Sequence, residues 1–392
     1  MVRKIMDKTK VFGPRHVDFK VLKLVFKLGK LFGTAPFPME TVKKKPILGK
    51  VISLAVIGVI ISYNYFTIQK QIVIFPLYHT TITAMSWLIT LTDIVLLFYC
   101  VTFLTFFRND VWMPLFKKIH KLEDTINHYD YFQTGKEFIL FFKLGLMYST
   151  FIGINFARYY ITSIRIIRVN STISQFYTII IFTYYISLTN WMKNRYDFLD
   201  QYLTNSMSKQ QKSVEVIERV MEVYKLADSV VEEFNKLCGG IVSYCICVSV
   251  LHLLYYFSFA IDNNNSEAKI LNYLEPLVQI VSLTVMIMSC DSTEKSGQKI
   301  IKTCFHLHDH VENFTVKEKL LMLANYVKQW KPVFSAAGFY DIHQTTLSSI
   351  FSAFITYSVI IIQFNMVLVD ENTNSTDATT TAVNLLEKTT SS

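Results

Sequence analysis

The last apolar segment of the sequence carries a row of polar side chains along one side of a predicted helix. Successive residues of an α-helix are about 100° apart, so the members of this row lie within roughly 60° of one another. They are Thr345, Ser349, Ser352, Thr356 and Gln363, and we call them the polar stripe. An unpaired amide or hydroxyl at membrane depth costs several kcal/mol, so the stripe must meet water or another helix.

Two interpretations of the polar stripe follow from the residues alone. In the first, its hydroxyl and amide groups join neighbouring helices through hydrogen bonds of about 0.6 kcal/mol each. In the second, several copies of the helix surround a water-filled pore, and Val359 or Ile360 fills the one gap in the stripe. The second interpretation predicts a channel whose wall includes Ser352, Thr356 and Gln363.

A second set of polar and aromatic side chains lies in the outer halves of other apolar segments. Ionisable residues within a membrane usually face an interior cavity, and small-molecule sites combine aromatic walls with a few hydrogen-bonding groups. We predict a ligand pocket formed by Trp87, Asn155, Arg158, Tyr159, His252, Tyr255, Tyr256, Glu275 and Gln279. Core packing or anchoring at the membrane interface is the alternative for each aromatic residue, and pairing with each other is the alternative for Arg158 and Glu275. Asp93 lies deeper, and we assign it to coupling between pocket and pore.

Metal, nucleotide and catalytic chemistry find little support in the sequence. His306 and His310 have the spacing of two zinc ligands on a helix, but no third ligand follows at a suitable spacing. The chain has 12 glycines and neither GxxxxGK nor GxGxxG, so it lacks a recognisable phosphate-binding loop. No nucleophile, base and orienting group share one face. We therefore predict no metal site, no cofactor and no enzymatic activity.

The chain that positions these side chains is strongly apolar. It has 392 residues, of which 51% are hydrophobic, and a mean hydropathy of +0.31. Because a bilayer core of about 30 Å requires about 20 mostly apolar residues per helix, we searched for segments of that kind. Seven spans are predicted, at residues 51–68, 80–107, 138–161, 173–191, 238–261, 273–290 and 345–367. The predicted fold class is therefore all-α, a polytopic membrane protein with seven transmembrane helices.

The basic residues predict the orientation of these spans. Segments 1–50, 108–136, 193–236 and 295–331 hold 32 of the 39 Lys and Arg residues, and segments rich in these residues stay cytoplasmic. The amino terminus is therefore expected inside and the carboxyl terminus outside, with no removable signal peptide. Predicted glycosylation acceptors Asn170, Asn264 and Asn374 fall outside, whereas Asn313 falls inside. The placement of Lys and Arg in cytoplasmic segments thus accounts for most of the net charge of +9, and we predict no nucleic-acid partner.

Several amphipathic segments lie on the cytoplasmic side. Segment 16–33 has a basic face, which favours either the inner membrane surface or a contact with the protein's own cytoplasmic face. Segment 212–237, the extension of the sixth span and segment 316–330 each show one apolar face, which predicts that they pack together in an assembly domain. The predicted organisation is an amino-terminal region (1–50), spans one to six with the ligand pocket (51–294), assembly helices (295–344), a pore-lining helix (345–368) and a disordered extracellular tail (369–392).

The end of the last span resembles a known family. The motif TYSVIIIQF at residues 356–364 is similar to the carboxyl-terminal signature of insect gustatory receptors. The preceding AAGFYDIHQTTLSSIFSAFI at 336–355 and KLFGTAPFP at 30–38 also resemble that family. The resemblance implies a tetrameric ligand-gated cation channel in which the last helix lines a central pore and cytoplasmic helices hold the subunits together.

The resemblance also implies roles for individual residues and partners. Gln363 and Phe364 would form the gate near the outer mouth, while Thr356 and Tyr357 would set the helix against its neighbours, so Tyr357 joins Asp93 as a coupling residue. The expected partners are a small-molecule tastant, membrane lipid and further subunits, in a homotetramer or a heteromer with related receptors. The expected location is the plasma membrane of a sensory neuron dendrite.

The class of ligand is the finest inference that the resemblance offers. Sugar receptors of the family tend to carry Glu directly after Thr-Tyr, where this chain has Ser358. This departure favours a bitter or deterrent plant compound, with a fructose-type sugar as the second choice. An odorant-receptor subunit of the same architecture is a further alternative. A receptor coupled to a G protein is less favoured, because it would need the amino terminus outside and a DRY or NPxxY motif.

Overall fold

The computed structural model describes residues 17–35, 47–74, 80–102, 109–127, 137–161, 169–208, 213–262 and 266–363, and the side chains of some residues within these ranges are also outside the description. These residues form ten helices and one short hairpin. The helices are α1 (Val17–Leu31), α2 (Ile47–Ile74), α3 (Thr80–Phe98), α4 (Asn109–Asn127), α5 (Glu137–Ile161), α6 (Val169–Ser208), α7 (Ser213–Asp262), α8 (Ser266–His310), α9 (Phe314–Gln329) and α10 (Gln344–Gln363). The hairpin pairs β1 (Ser335–Ala336) with β2 (Tyr340–Asp341).

The described parts of all seven predicted spans fall on helices, while residues 103–107 of the second span and 364–367 of the seventh lie outside the described residues. Five of these helices, namely α3, α5, α7, α8 and α10, are long and apolar enough to cross a membrane. The described apolar part of α2 is shorter, Lys50–Phe66, and α6 lacks a sufficiently apolar stretch. The all-α membrane fold is confirmed, while the number of crossings and the orientation of the termini stay predictions.

Helix α6 forms the centre of the molecule. It packs against α1, α2, α3, α5, α7 and α8, and every residue from Tyr177 to Met192 is buried. Tyr184 stacks on Phe26 of α1 with ring centroids 5.2 Å apart, and Tyr185 meets Phe234 of α7 edge-on at 4.7 Å. Because α6 is surrounded by protein, it tolerates polar residues that a lipid-facing helix would not.

A buried ion triad joins α1 and α4 to the end of α6 that is predicted to be cytoplasmic, which we call its inner end. Arg195 Nη1 lies 3.0 Å from Asp18 Oδ2, and Arg195 Nη2 lies 2.7 Å from Glu123 Oε2. All three side chains are at most 4% exposed. Burial acts to lower the pKa of Arg195, but the two carboxylates outweigh it and the pKa is raised, so the guanidinium stays charged.

The sequence of helix α1 allowed two environments, the inner membrane surface and a contact with the protein itself, and the structure has a face suited to each. One face buries Leu22, Val25 and Phe26, and the Phe26 ring contacts Trp112 and Phe116 of α4 and Tyr184 of α6, so the helix packs on its own protein. The opposite face leaves Leu24 and Leu31 54% and 62% exposed. A membrane surface therefore remains available to this second face.

The amphipathic segments on the predicted cytoplasmic side pack together within one chain. The start of α7, the end of α8 and α9 contact one another, with Tyr224 of α7 edge-on to Tyr326 of α9 at 6.1 Å. Asn313, the acceptor predicted to stay bare, is the N-cap of α9 and accepts a hydrogen bond from the backbone N–H of Thr315 at 2.9 Å. The domain boundary predicted at residues 294 and 295 falls inside α8, which continues without a break to His310.

The hairpin fixes the start of α10 to the long helices. In the antiparallel register, Ser335 faces Asp341, and Asn235 of α7 both donates to Val333 O (2.8 Å) and accepts from Ser335 N (3.1 Å). A Cβ at Gly239 would lie 2.8 Å from Ala337 N, so only glycine allows this approach of α7. Gln344 N then donates to Asp291 Oδ1 of α8 at 3.3 Å.

Candidate functional site

A cluster of buried polar side chains connects α3, α6 and α7 at the end of α6 that is predicted to be extracellular. Ser171 Oγ lies 2.9 Å from Tyr256 Oη and 3.1 Å from His252 Nε2. Asp93 Oδ1 lies 3.4 Å from the same His252 nitrogen. We call Asp93, Ser171, His252 and Tyr256 the outer polar cluster. It brings a carboxylate, an imidazole and two hydroxyls within reach of one small polar ligand.

The hydrogen bonds of His252 limit what its ring can do. Nδ1 lies 3.0 Å from Val248 O, an acceptor, so Nδ1 carries a hydrogen and donates it there. In the neutral ring, Nε2 is then an acceptor and receives the Ser171 hydroxyl hydrogen. Only a doubly protonated ring could donate to Asp93. The neutral ring therefore leaves the Asp93 carboxylate without a donor from His252.

The cluster is enclosed and incompletely paired. The side chains of Asp93 and His252 are each 1% exposed. Among the described residues, Asp93 Oδ1 and Ser174 Oγ, one turn along α6 from Ser171, have no hydrogen-bond partner. Leaving a buried polar group unpaired costs about 1–3 kcal/mol, more for a charged group. Buried polar groups normally have a hydrogen-bond partner, and a ligand with hydrogen-bonding groups or a water molecule would supply one here.

Five residues assigned from sequence come together here, directly or through a neighbour. His252, Tyr256 and Asp93 belong to the cluster, and the Tyr255 ring lies edge-on to Tyr256 at 5.3 Å. Asn155 of α5 joins through its Oδ1, which accepts from Thr172, the residue after Ser171, at 3.1 Å. The sequence had separated Asp93 as a coupling residue, whereas the structure places it beside His252.

The remaining assigned pocket residues are not shown in contact with this cluster. Trp87 is half-buried on α3, and Gln279 is buried on α8. The side chains of Arg158, Tyr159 and Glu275 lie outside the described residues, so their roles stay predictions. The same holds for Phe364 and for the acceptors Asn170, Asn264 and Asn374.

Sequence reasoning missed the contribution of α6. Ser171, Ser174 and Thr178 recur at three to four residues in an otherwise apolar stretch, which is the spacing of one helix face. That signal was present, but hydroxyls in membrane helices commonly bond to their own backbone, as Thr178 does to Ser174 O at 3.1 Å. Only the packing of α6 against α7 shows that Ser171 faces His252 and Tyr256.

The polar stripe of α10 is not covered by its own chain. All five stripe residues are exposed, and 6% of the helix is buried. Thr356 Oγ1 donates to Ser352 O at 2.9 Å and Ser349 Oγ donates to Thr345 O at 3.2 Å, both within the helix. In the described part of the chain, no hydrogen bond joins the stripe to another helix. Within one chain, hydrogen bonding between helices therefore does not account for it.

A groove lies between α10 and α7, and Thr345 and Ser349 of the polar stripe are among the residues that line it. Its volume is about 840 Å³ and its wall is mostly apolar, with Val250 and Leu254 on α7 facing Ile350 and Ile361 on α10. Tyr357 and Ile360 also line the groove, whereas Val359 is exposed and does not line it. Phe354 meets Phe257 of α7 with ring centroids 5.8 Å apart. The helix is held firmly at its hairpin end and more loosely along its length.

No metal centre accompanies these sites in the ranges that the structure describes, where no group of three or more His, Cys, Asp or Glu residues could hold an ion. His306 and His310 stack on each other at 4.5 Å and are exposed. All six cysteines are free thiols, and Cys247 alone among them is exposed.

Comparisons with known proteins agree with this architecture. The family model described as 7tm Chemosensory receptor matches residues 22–368. Two solved structures of the insect olfactory receptor OR5 from Machilis hrabei are similar in fold, each at 11% identity and covering 88% of this chain and 98% of that one. The TM-score is 0.64 for the complex with eugenol and 0.60 for the other structure. Among curated proteins, none matches significantly.

Proposed function

Because this chain belongs to the 7tm chemosensory receptor family, we propose that it is a gustatory receptor, a subunit of a non-selective cation channel opened by a tastant. The family consists of receptors, which confirms the prediction that the chain is not an enzyme. The proposed ligand is a bitter or deterrent plant compound that binds in the outer half of the second to sixth spans. The proposed channel is a tetramer in the plasma membrane.

The observation that carries the channel proposal is the exposure of the polar stripe. A row of hydroxyls and an amide on a membrane helix must be paired or in contact with water, and within the described residues no other helix supplies a hydrogen-bond partner. Several copies arranged around an axis would turn five polar groups per subunit toward a shared water-filled path. Gln363, at the end of the stripe, and Phe364 would then form the gate.

The loose fit of α10 supports a gating movement. The hairpin fixes the inner end of the helix, whereas the groove of about 840 Å³ runs beside the helix from Thr345 to Ile361 and leaves room for movement. Gln363 lies on the stripe, and Phe364 is about 100° further round the helix. A small rotation of α10 would turn Gln363 away from the constriction and Phe364 toward it, and Tyr357 would move within the groove.

The outer polar cluster supports small-molecule recognition. The olfactory receptor OR5 of Machilis hrabei, similar in fold, was solved in complex with eugenol. In this chain the buried Asp93 and Ser174 oxygens favour a ligand that donates hydrogen bonds, with the ring of Tyr256 beside it. A fructose-type sugar is the second candidate, because several adjacent hydroxyls would suit the same oxygens. An odorant-receptor subunit would share this architecture.

The test is to record currents from cells that express this chain alone while bitter alkaloids and sugars are applied. Ligand-evoked cation current without a second receptor gene supports a gustatory channel, and its agonist decides between the two ligand classes. The matched variant is Gln363→Ala, which should change leak, conductance or ion preference while surface expression is maintained. Unchanged values for all three in the presence of a working agonist would contradict the pore assignment. Current only with a co-expressed partner would favour the odorant-receptor alternative.

A further inference from the structure

Two lysines lie side by side between α5, α6 and α8, remote from the outer polar cluster. Lys143 Nζ of α5 donates to Ser289 Oγ at 2.7 Å, and Lys193 Nζ of α6 donates to Ser292 Oγ at 2.6 Å. The two serines are three residues apart on α8 and therefore share a face. We call Lys143 and Lys193 the lysine pair. Neither the pore nor the ligand pocket uses it.

The predicted topology places the lysine pair at the inner boundary of the membrane. Lys143 follows the start of α5 by six residues, which corresponds to about 9 Å along the helix. Lys193 and Ser292 each lie two residues beyond the inner end of a predicted span. Three helices thus bring their charged and hydroxyl groups to one depth, where phospholipid head groups lie.

The positive charge of the pair is not compensated within the described residues. In those residues, no carboxylate oxygen lies within 4.0 Å, the limit for an ion pair, of the Nζ atom of either lysine. The nearest acidic residues along α8 are engaged elsewhere, Asp291 with Lys295 at 2.6 Å and Glu294 with Lys331 at 3.4 Å. Each ammonium has three N–H donors and gives one to its serine, so about two on each lysine remain for another acceptor.

The surface next to Lys143 is apolar and open. Ile139 is 50% exposed, Phe142 is 61% exposed and Leu146 is 39% exposed, and all three lie within one turn of Lys143 on α5. A lysine in the membrane is costly, and one without a carboxylate partner usually marks a functional contact. An acyl chain against these three side chains would place its head group at the lysine pair.

We propose that the lysine pair binds the phosphate of an anionic phospholipid from the inner leaflet. Basic pockets between transmembrane helices on the cytoplasmic side suit such head groups. The phosphate oxygens accept from the free N–H groups of both lysines, and Ser289 and Ser292 hold the two ammonium groups in position. The bound lipid would join α5 to α6 and α8.

The proposal can be tested by native mass spectrometry of the full-length protein in detergent, titrated with phosphatidylinositol 4,5-bisphosphate, phosphatidylserine or phosphatidylcholine. The wild type should retain the anionic lipids over phosphatidylcholine. Removal of one lysine charge should lower the affinity for anionic lipid about fivefold. The double variant Lys143→Gln with Lys193→Gln should therefore bind it roughly 25-fold more weakly. The control is Lys117→Gln with Lys121→Gln, which removes the same charge from exposed positions on α4 and should change binding less than twofold.

Two further arms separate the lipid from free phosphate and from a loss of folding. Inorganic phosphate and soluble inositol trisphosphate should compete poorly with the lipid, because they cannot use the apolar flank of α5. Lys143→Arg with Lys193→Arg keeps the charge and should retain binding, whereas Ser289→Ala with Ser292→Ala should lower it several-fold in protein that still elutes as folded. Equal retention of phosphatidylcholine by the wild type, equal losses in the control, or full competition by inorganic phosphate would each overturn the proposal.

Discussion

Helices α6 and α10 were both predicted as membrane spans, yet they occupy opposite environments. Every residue of α6 from Tyr177 to Met192 is buried by the same chain. In α10, Ser358 is the one buried residue between Gln344 and Gln363. Both helices carry hydroxyl and amide side chains among apolar ones, so their sequences alone do not reveal this difference.

The difference shows what polar residues in a membrane helix can mean. Near the inner end of α6 the buried charge of Arg195 is paired within the chain, with Asp18 and Glu123. In the polar stripe of α10, Ser349 and Thr356 donate only to backbone oxygens of their own helix. Polar residues with partners elsewhere in their own chain stabilise one subunit. Polar residues without such partners are available to water or to a second subunit. The four predictions below test this distinction, beginning with the largest effect.

The largest expected effect is on the inner end of α6. Arg195→Ala would leave Asp18 and Glu123 buried without a counter-charge, which typically costs about 3–5 kcal/mol of stability. We expect most of the variant to be lost from the folded peak in size-exclusion chromatography after mild heating. The control, Arg219→Ala, removes an exposed pair with Glu215 on α7 and should cost at most about 0.5 kcal/mol. Equal thermal stability of the two variants would break the comparison.

The next effect concerns the outer end of α6, where the pairing is incomplete. Asp93→Asn keeps the shape of the side chain but removes its charge, and a hydrogen bond to a charged group contributes about 1.5–3 kcal/mol. For whichever compound opens the wild-type channel, we expect the half-maximal concentration to rise about tenfold or more.

The matched variant for this experiment lies on α10. Gln363→Ala should alter conductance or leak and leave the half-maximal agonist concentration within about threefold of the wild type. A potency shift from Gln363→Ala and none from Asp93→Asn would show that the roles of the two regions are reversed.

The sequence was sufficient for some of these assignments and insufficient for others, for physical reasons. Apolar length predicts helices well, because the bilayer fixes the number of residues needed, and the described parts of all seven predicted spans lie on helices. Periodicity also predicted that the polar side chains of α10 share one face of the helix. Both signals are local and need no knowledge of neighbouring helices.

Contacts between distant segments could not be predicted in this way. The pairing of Asp18 with Arg195 joins residues 177 positions apart, and Ser171 reaches His252 across 81 positions. Helix periodicity states which residues share a face, but not which helix lies opposite. For the same reason Asp93 was assigned from the sequence to coupling and His252 to ligand binding, although the two side chains are adjacent.

A smaller effect is expected from a cysteine placed on each helix. Ser352→Cys would carry a thiol on the exposed stripe of α10, whereas Ser187→Cys would carry it on α6, where Ser187 is 1% exposed. A charged, membrane-impermeant thiol reagent should reduce the current of the first variant several-fold and leave the second unchanged. Both variants need the background Cys247→Ser, because Cys247 is the exposed native thiol among the six. Modification of both variants, or of neither, would remove the distinction between the helices.

The smallest expected effect concerns a second buried charge. It tests whether such charges always have an opposite charge beside them, as Arg195 does. Asp228 of α7 is half-buried beyond the predicted spans, and burial raises its pKa to about 6, with Glu232 adding to the shift and Lys118 opposing it. A raised pKa in the folded state means that the protonated form stabilises the fold. This stability is fully present below the ordinary pKa near 3.8 and is lost as the pH rises through 6.

Asp228→Asn should therefore stabilise the protein at pH 7.5, where the native carboxylate is ionised, and the gain should vanish near pH 4, where both side chains are neutral. Thermal unfolding followed by size-exclusion chromatography at the two pH values measures it, and we expect a shift of the midpoint by a few degrees. Asp309→Asn is the control, because that carboxylate is 76% exposed and should give no pH-dependent gain. A loss of stability at pH 7.5 in Asp228→Asn would mean that the ionised carboxylate is paired, and that the matching seen at Arg195 extends to α7.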